Sequence, residues 1–135
     1  LMPIVAGIAG NSGNQTMTLI IRSIALGQVT MSNARRLLLK ELAVAALNGL
    51  VWGGMAGMVA WLLYRDTPYG VLLGLTMTLA MVLNLLVGAL IALAVPITLE
   101  RLGRDPAIGS SVLLTFSTDS MGFLIFLGLA TLLFR

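Results

Sequence analysis

The sequence predicts an all-α, polytopic membrane protein built as a single transmembrane domain over residues 1–135, and three observations carry that reading. Of 135 residues, 59% are hydrophobic and only 10% are charged, whereas a soluble domain carries about 25% charged residues. Mean hydropathy is +1.03. The apolar residues gather into four runs, each long enough to cross a bilayer, for which about 20 mainly apolar residues suffice.

The first run extends from about 3 to 26, with Pro3 where a helix can begin. The second covers about 37–64. The third, about 68–98, follows Thr67-Pro68, a cap residue and then a proline at the first helical position. Pro96 is expected to kink or end its last turn. The fourth, about 106–134, follows Asp105-Pro106, the same cap grammar. The connections, roughly 25–40, 64–68 and 99–106, are short and contain no linker.

Charge gives these runs an orientation. Arg35, Arg36 and Lys40 flank the first connection, Arg101 and Arg104 lie in the third, and Arg22 is close enough to reach the same face. The opposite face has Arg65 and Arg135. The positive-inside rule then puts loops 27–36 and 99–106 in the cytoplasm and both chain ends outside. Leu1-Met2-Pro3 has no basic flank and no signal pattern to carry an N-terminus outward. At least one more spanning helix is therefore expected to precede this segment.

Several function classes drop out on composition. There is no Cys, hence no disulfide framework or thiolate metal site, and no His, the commonest general base and metal ligand. Phosphate-binding loops, zinc-protease motifs and nucleophile–base pairs are missing as well, so the chain is not expected to be an enzyme. The net charge of +3 comes from basic residues scattered between apolar runs without an aromatic-flanked patch, which argues against nucleic acid.

Among the acids, Glu41, Asp66, Glu100 and Asp105 fall at or near predicted helix ends, where solvation is cheap. Asp119 is different. It lies about 18 Å into the fourth run at 1.5 Å per residue, where a carboxylate costs at least about 2.5–3.5 kcal/mol and normally marks a pathway, a relay or a counter-ion. No basic residue is predicted at that depth, so Asp119 must be protonated, hydrated or neutralised by something mobile. Ser111, Thr115, Thr118, Asp119 and Gly122 share helical spacing and predict one polar stripe. Hydroxyls and carbonyls beside a carboxylate form a hard-oxygen environment that suits Mg²⁺, Ca²⁺, Na⁺ or protons.

A second stripe, Gly7, Gly10, Asn11, Asn14 and Thr18, lies on the first run within the polar segment Gly10–Thr16. Amides inside a span need partners or water, and glycines let another backbone approach closely. Two oxygen-rich stripes facing each other could line an aqueous pore. The second run carries Gly49, Gly53 and Gly57, two overlapping GxxxG units suited equally to a dimer contact or to packing within the chain. Asn84, with Ala80, Gly88 and Ala92 on one face of the third run, reads as interhelical glue more than as a ligand.

Gly10-Asn-Ser-Gly-Asn-Gln-Thr16 with Arg22-Ser-Ile-Ala-Leu-Gly27 resembles the GNxGNQ…RxxALG stretch of MgtE-type Mg²⁺ transporters, and Thr118-Asp-Ser-Met-Gly-Phe123 resembles their last membrane helix. Arg36…Lys40-Glu41 is similar to the segment opening the family's third helix. The resemblance covers essentially the whole chain in order. It implies helices two to five of a five-helix domain, with a cation pore at a homodimer axis in the inner membrane. It implies further that Asp119 is the central Mg²⁺-site carboxylate, and that Gly10, Asn14, Thr18, Thr115 and Gly122 line the same site. Cytosolic regulatory domains are expected in a full-length protein of this kind, and no organic cofactor. The activity implied is passive, potential-driven uptake of a divalent cation. The rivals are a small four-helix proton-coupled cation exporter and a non-transporting membrane subunit. The exporter would need aromatic residues around the acid, and only Phe116 and Phe123 lie near it.

Overall fold

A computed structural model of the chain describes residues 1–30 and 32–135 with their side chains, and residue 31 by its backbone. Four helices follow one another: α1 (Met2–Ala25), α2 (Met31–Leu63), α3 (Gly70–Arg101) and α4 (Ser110–Leu133). There is no strand among the described residues, so the all-α class holds. By length and composition, α2 (from Ser32), α3 and α4 are apolar enough to cross a membrane. The four expected helices are all present, although α1 is not among those three. At 24 residues α1 is as long as α4, but Asn11, Ser12, Asn14, Gln15 and Thr16 sit in its middle.

The ends of the helices differ from the expected ones for local reasons. The second helix starts at Met31, not near 37: the backbone N–H of Thr30 donates to Asn33 Oδ1 at 2.8 Å, which satisfies a helix-start group. At 33 residues, α2 is about 50 Å long, so its charged first turns extend past a hydrocarbon core of about 30 Å. Residues 31–36, expected in a loop, are helical. The two Thr-Pro and Asp-Pro caps are turns instead. Thr67 Oγ1 donates to the Tyr64 carbonyl at 2.7 Å and α3 starts only at Gly70. The Ala107 N–H donates to Asp105 Oδ1 at 2.9 Å, Gly109 takes φ 81°, and α4 starts at Ser110. Pro96 does not end α3, which continues to Arg101 with Pro96 buried inside it.

The core lies along α3, which packs against the other three helices, while α1 also packs against α4. Its contact with α2 is set by Gly49, Gly53 and Gly57, which meet α3 of the same chain. A Cβ on Gly57 would lie 2.6 Å from the Gly74 carbonyl, and one on Gly74 would lie 2.8 Å from the Gly57 carbonyl. Only glycines allow so close a crossing. Thr78 Oγ1 spans the seam, donating to the Gly53 carbonyl at 3.0 Å and to Gly74 in its own helix at 3.0 Å. Met77, Ala80 and Met81 pack with Val5, Ala60 and Phe126 as a core drawn from all four helices. The outer faces of α2 and α4 keep Leu50, Met58, Val112 and Leu124 more than half exposed, as lipid-facing surfaces do.

Candidate functional site

The site is assembled where α1, α3 and α4 meet. Gly10 of α1 and Gly122 of α4 are both buried. A Cβ on Gly10 would stand 3.2 Å from Thr118 Oγ1, and one on Gly122 would stand 2.7 Å from Asn84 Nδ2 and 3.2 Å from Ala6 Cα. The two glycines therefore bring α4 onto α1 and α3. Asn84, fully buried, donates from Nδ2 to the Thr118 carbonyl at 3.0 Å and to the Val5 carbonyl at 3.3 Å. One amide thus ties α3 to both neighbours, the glue role that spacing suggested. Its Oδ1 is buried without a hydrogen-bond partner among the described residues, a cost of about 1–3 kcal/mol in a dry interior. The Thr118 hydroxyl is spent inside its own helix, on the Leu114 carbonyl at 3.0 Å.

One residue on from that clamped carbonyl, Asp119 is exposed. With α4 starting at Ser110, it sits nine residues along the helix, about 14 Å in, rather than about 18 Å. It has no ion-pair partner among the described residues. Nor is there a group of three or more His, Cys, Asp or Glu among them that could hold a metal ion. A cation beside Asp119 would therefore find one carboxylate per chain.

The predicted stripe on α4 is split by the packing. Thr118 and Gly122 turn inward, whereas Ser111, Thr115 and Asp119 remain on the exposed flank. The flank joins α1 through Ser111, whose Oγ donates to Asn14 Oδ1 at 2.8 Å. Thr18 Oγ1 donates to the Asn14 carbonyl at 2.9 Å. Asn14, Thr18 and Ser111 line one cavity of about 300 Å³ with Met17, Ile21 and Ala107. The structure so brings Asn14, Thr18 and Ser111 together, puts Thr115 and Asp119 on the same helix flank, and keeps Gly10 and Gly122 in the seam beneath.

Sequence spacing missed a polar cleft on the far side of α1. Ser12, Gln15 and Thr16 face Glu41 and Asn48 of α2 across a cavity of about 240 Å³, and Thr16 Oγ1 donates to Glu41 Oε2 at 3.4 Å. Glu41, expected as a plain end charge, therefore has a partner on another helix. Ser12, Gln15 and Thr16, polar residues off the Asn14 stripe, were the sequence signal of this second face.

The profile of the MgtE family, described as a divalent cation transporter, matches residues 2–129. The magnesium transporter MgtE of Thermus thermophilus is 38% identical over 98% of this chain. Those of Enterococcus faecalis and Bacillus subtilis are 30% identical over 98% and 96% of it. In each case the chain spans 28% of the relative's length.

Proposed function

This chain belongs to the MgtE family of divalent cation transporters, and we propose that it forms one half of a Mg²⁺ pathway at the axis of a homodimer. The observation that carries this is Asp119: a carboxylate exposed on the outer flank of a membrane-spanning helix, with no ion-pair partner among the described residues. A charge at that depth does not face lipid; it faces protein or water. A second copy set against this flank gives it both, and places a second Asp119 opposite the first. Two facing carboxylates repel each other, and a divalent cation removes that penalty by neutralising both.

Groups further along the same flank suit a largely hydrated ion. Mg²⁺ gives up water reluctantly, so the Asn14 amide and the hydroxyls of Thr18 and Thr115 act on its water shell. Gly10 and Gly122 serve from below by holding the flank in place. An interior-negative potential contributes about 4.6 kcal/mol per 100 mV to the entry of an ion of charge two, which drives passive uptake without ATP. The basic residues put the α1–α2 and α3–α4 connections on the inner side of the cell membrane. The rest of the relatives' length is where cytosolic regulatory domains belong.

The test is ion flux through the protein reconstituted in liposomes. Mg²⁺ uptake is expected to follow the imposed potential and to fall at least 100-fold in Asp119→Asn. Undiminished Mg²⁺ flux in Asp119→Asn would overturn the proposal, as would organic-cation flux coupled to a proton gradient, the signature of an exporter. An absence of flux, even with the expected preceding helix restored, would make the chain a packing subunit.

A further inference from the structure

A cavity of about 590 Å³ opens where the end of α1 meets the first turns of α2, well apart from the residues around Asp119. Arg36 and Lys40 line it. Four residues apart on α2, they share a face about 6 Å from each other. Neither has an ion-pair partner among the described residues. The nearest acid in sequence, Glu41, lines the separate cleft beside Thr16. Two unpaired cations side by side repel, and an anion shared between them removes that cost.

The loop that closes the cavity is held by its own hydrogen bonds. Asn33 uses both ends of its amide: Oδ1 accepts from the Thr30 N–H at 2.8 Å, and Nδ2 donates to the Gln28 carbonyl at 2.7 Å. The Gln28 N–H donates to the Ser23 carbonyl at 2.9 Å, across Gly27 at φ 68°. The Ser23 hydroxyl and the Gln28 side-chain amide, both in the lining, are left as donors beside the two cations.

The remaining lining is apolar. Val29 and Leu37 form part of the wall, and Leu26 and Leu39 are 63% and 58% exposed nearby. The occupant that matches a doubly cationic pole and an apolar wall is a phosphate attached to an acyl chain. The location agrees: these are the charged turns of α2 that extend past the hydrocarbon core, on the face that carries six of the eight basic residues. Basic pockets between spanning helices at this level hold anionic headgroups.

We propose that Arg36 and Lys40 bind the phosphate of an anionic phospholipid in this cavity, with Ser23 and Gln28 donating to its oxygens and Val29 and Leu37 packing on its first acyl carbons. The site stands apart from the proposed ion pathway, and its test does not read flux. Delipidated protein is titrated with phosphatidylglycerol or phosphatidylcholine, and bound lipid is counted by native mass spectrometry alongside the melting temperature. Phosphatidylglycerol is expected to be retained and to raise the melting temperature, whereas phosphatidylcholine does neither. At about 1 kcal/mol per basic residue at a membrane surface, the double change Arg36→Gln with Lys40→Gln should weaken retention about 30-fold. Arg65→Gln with Arg135→Gln, at the opposite end, should leave it unchanged.

Should the double Gln variant not fold, the charge-preserving pair Arg36→Lys with Lys40→Arg serves instead and is expected to keep the lipid. Equal retention of the two lipids, or equal loss in both Gln pairs, overturns the proposal. Protection by millimolar inorganic phosphate equal to that by phosphatidylglycerol, at matched ionic strength, also overturns it by assigning the cradle to a free anion.

Discussion

Replacing Gly122 by alanine tests the three-helix seam beneath Asp119. The added Cβ would lie 2.7 Å from Asn84 Nδ2, 3.2 Å from Ala6 Cα and 3.3 Å from Ala6 Cβ. Two responses are open. The Asn84 amide can swing away and lose its bonds to Thr118 and Val5, worth about 0.6 kcal/mol each in a membrane setting. Alternatively α4 moves off α1, at the cost of about 1–3 kcal/mol typical of an overpacked core. Both responses disturb the carbonyl that precedes Asp119. For a unit of 135 residues, with unfolding entropy near 2.1 cal/mol/K per residue, a loss of 1–3 kcal/mol lowers the melting temperature by about 4–10 °C. The assay is thermal unfolding in nanodiscs beside Gly128→Ala, a position on the same helix where a Cβ meets nothing within 4 Å. A double variant with Asn84→Ala removes the amide the new methyl strikes, so the two losses should fall short of additive by about 0.5–1 kcal/mol. If Gly122→Ala melts like Gly128→Ala, or the pair adds to within about 0.3 kcal/mol, the seam does not work as described.

Two further substitutions separate packing from the site. Gly57→Ala would drive a Cβ into Thr78 Oγ1 and to within 2.6 Å of the Gly74 carbonyl, so α2 and α3 must part; a loss of about 3 kcal/mol is expected. Gly54→Ala, with nothing within 4 Å, should change stability by no more than about 0.5 kcal/mol, and equal melting of the two would refute the crossing. Ser111→Ala removes the 2.8 Å bond to Asn14, worth about 0.6 kcal/mol. Mg²⁺ uptake should slow about threefold, far less than in Asp119→Asn, and a loss as severe as that of Asp119→Asn would mean that Ser111 does more than steady Asn14.

The number and order of the helices were legible because apolar runs of this length have few other uses. Their starts were not. Apolarity as a ruler stopped at Leu37 and missed the charged turns that begin beside Thr30, which a helix longer than the bilayer carries into water. Thr67-Pro68 and Asp105-Pro106 misled because a hydroxyl or carboxylate followed by proline is turn grammar as much as cap grammar. In both places the side chain bonds within a turn, and the helix starts further on. The α4 stripe was legible as a list but not as a surface. Helical spacing groups residues within an arc, and the boundary between packed and open runs through it, between Thr118 and Asp119. What Asn84 holds could not be read at all, since its partners lie 79 and 34 residues away. Whether Gly49, Gly53 and Gly57 served a dimer or the chain itself was equally open from spacing; in the structure α3 packs against them.

The division between Thr118 and Asp119 has an energetic consequence. Inside the seam, most polar demand is met within the chain: Asn84 supplies the carbonyls, and the Thr118 hydroxyl bonds its own helix. Outside it, Asp119 has no ion-pair partner among the described residues. The fold therefore places its one costly charge where only an external partner can relieve it. A second copy alone does not suffice, since it brings a second negative charge and doubles the deficit. In the proposed homodimer, a mobile divalent ion between two copies would balance both charges at once, so the balance that stabilises the assembly would also hold the cargo.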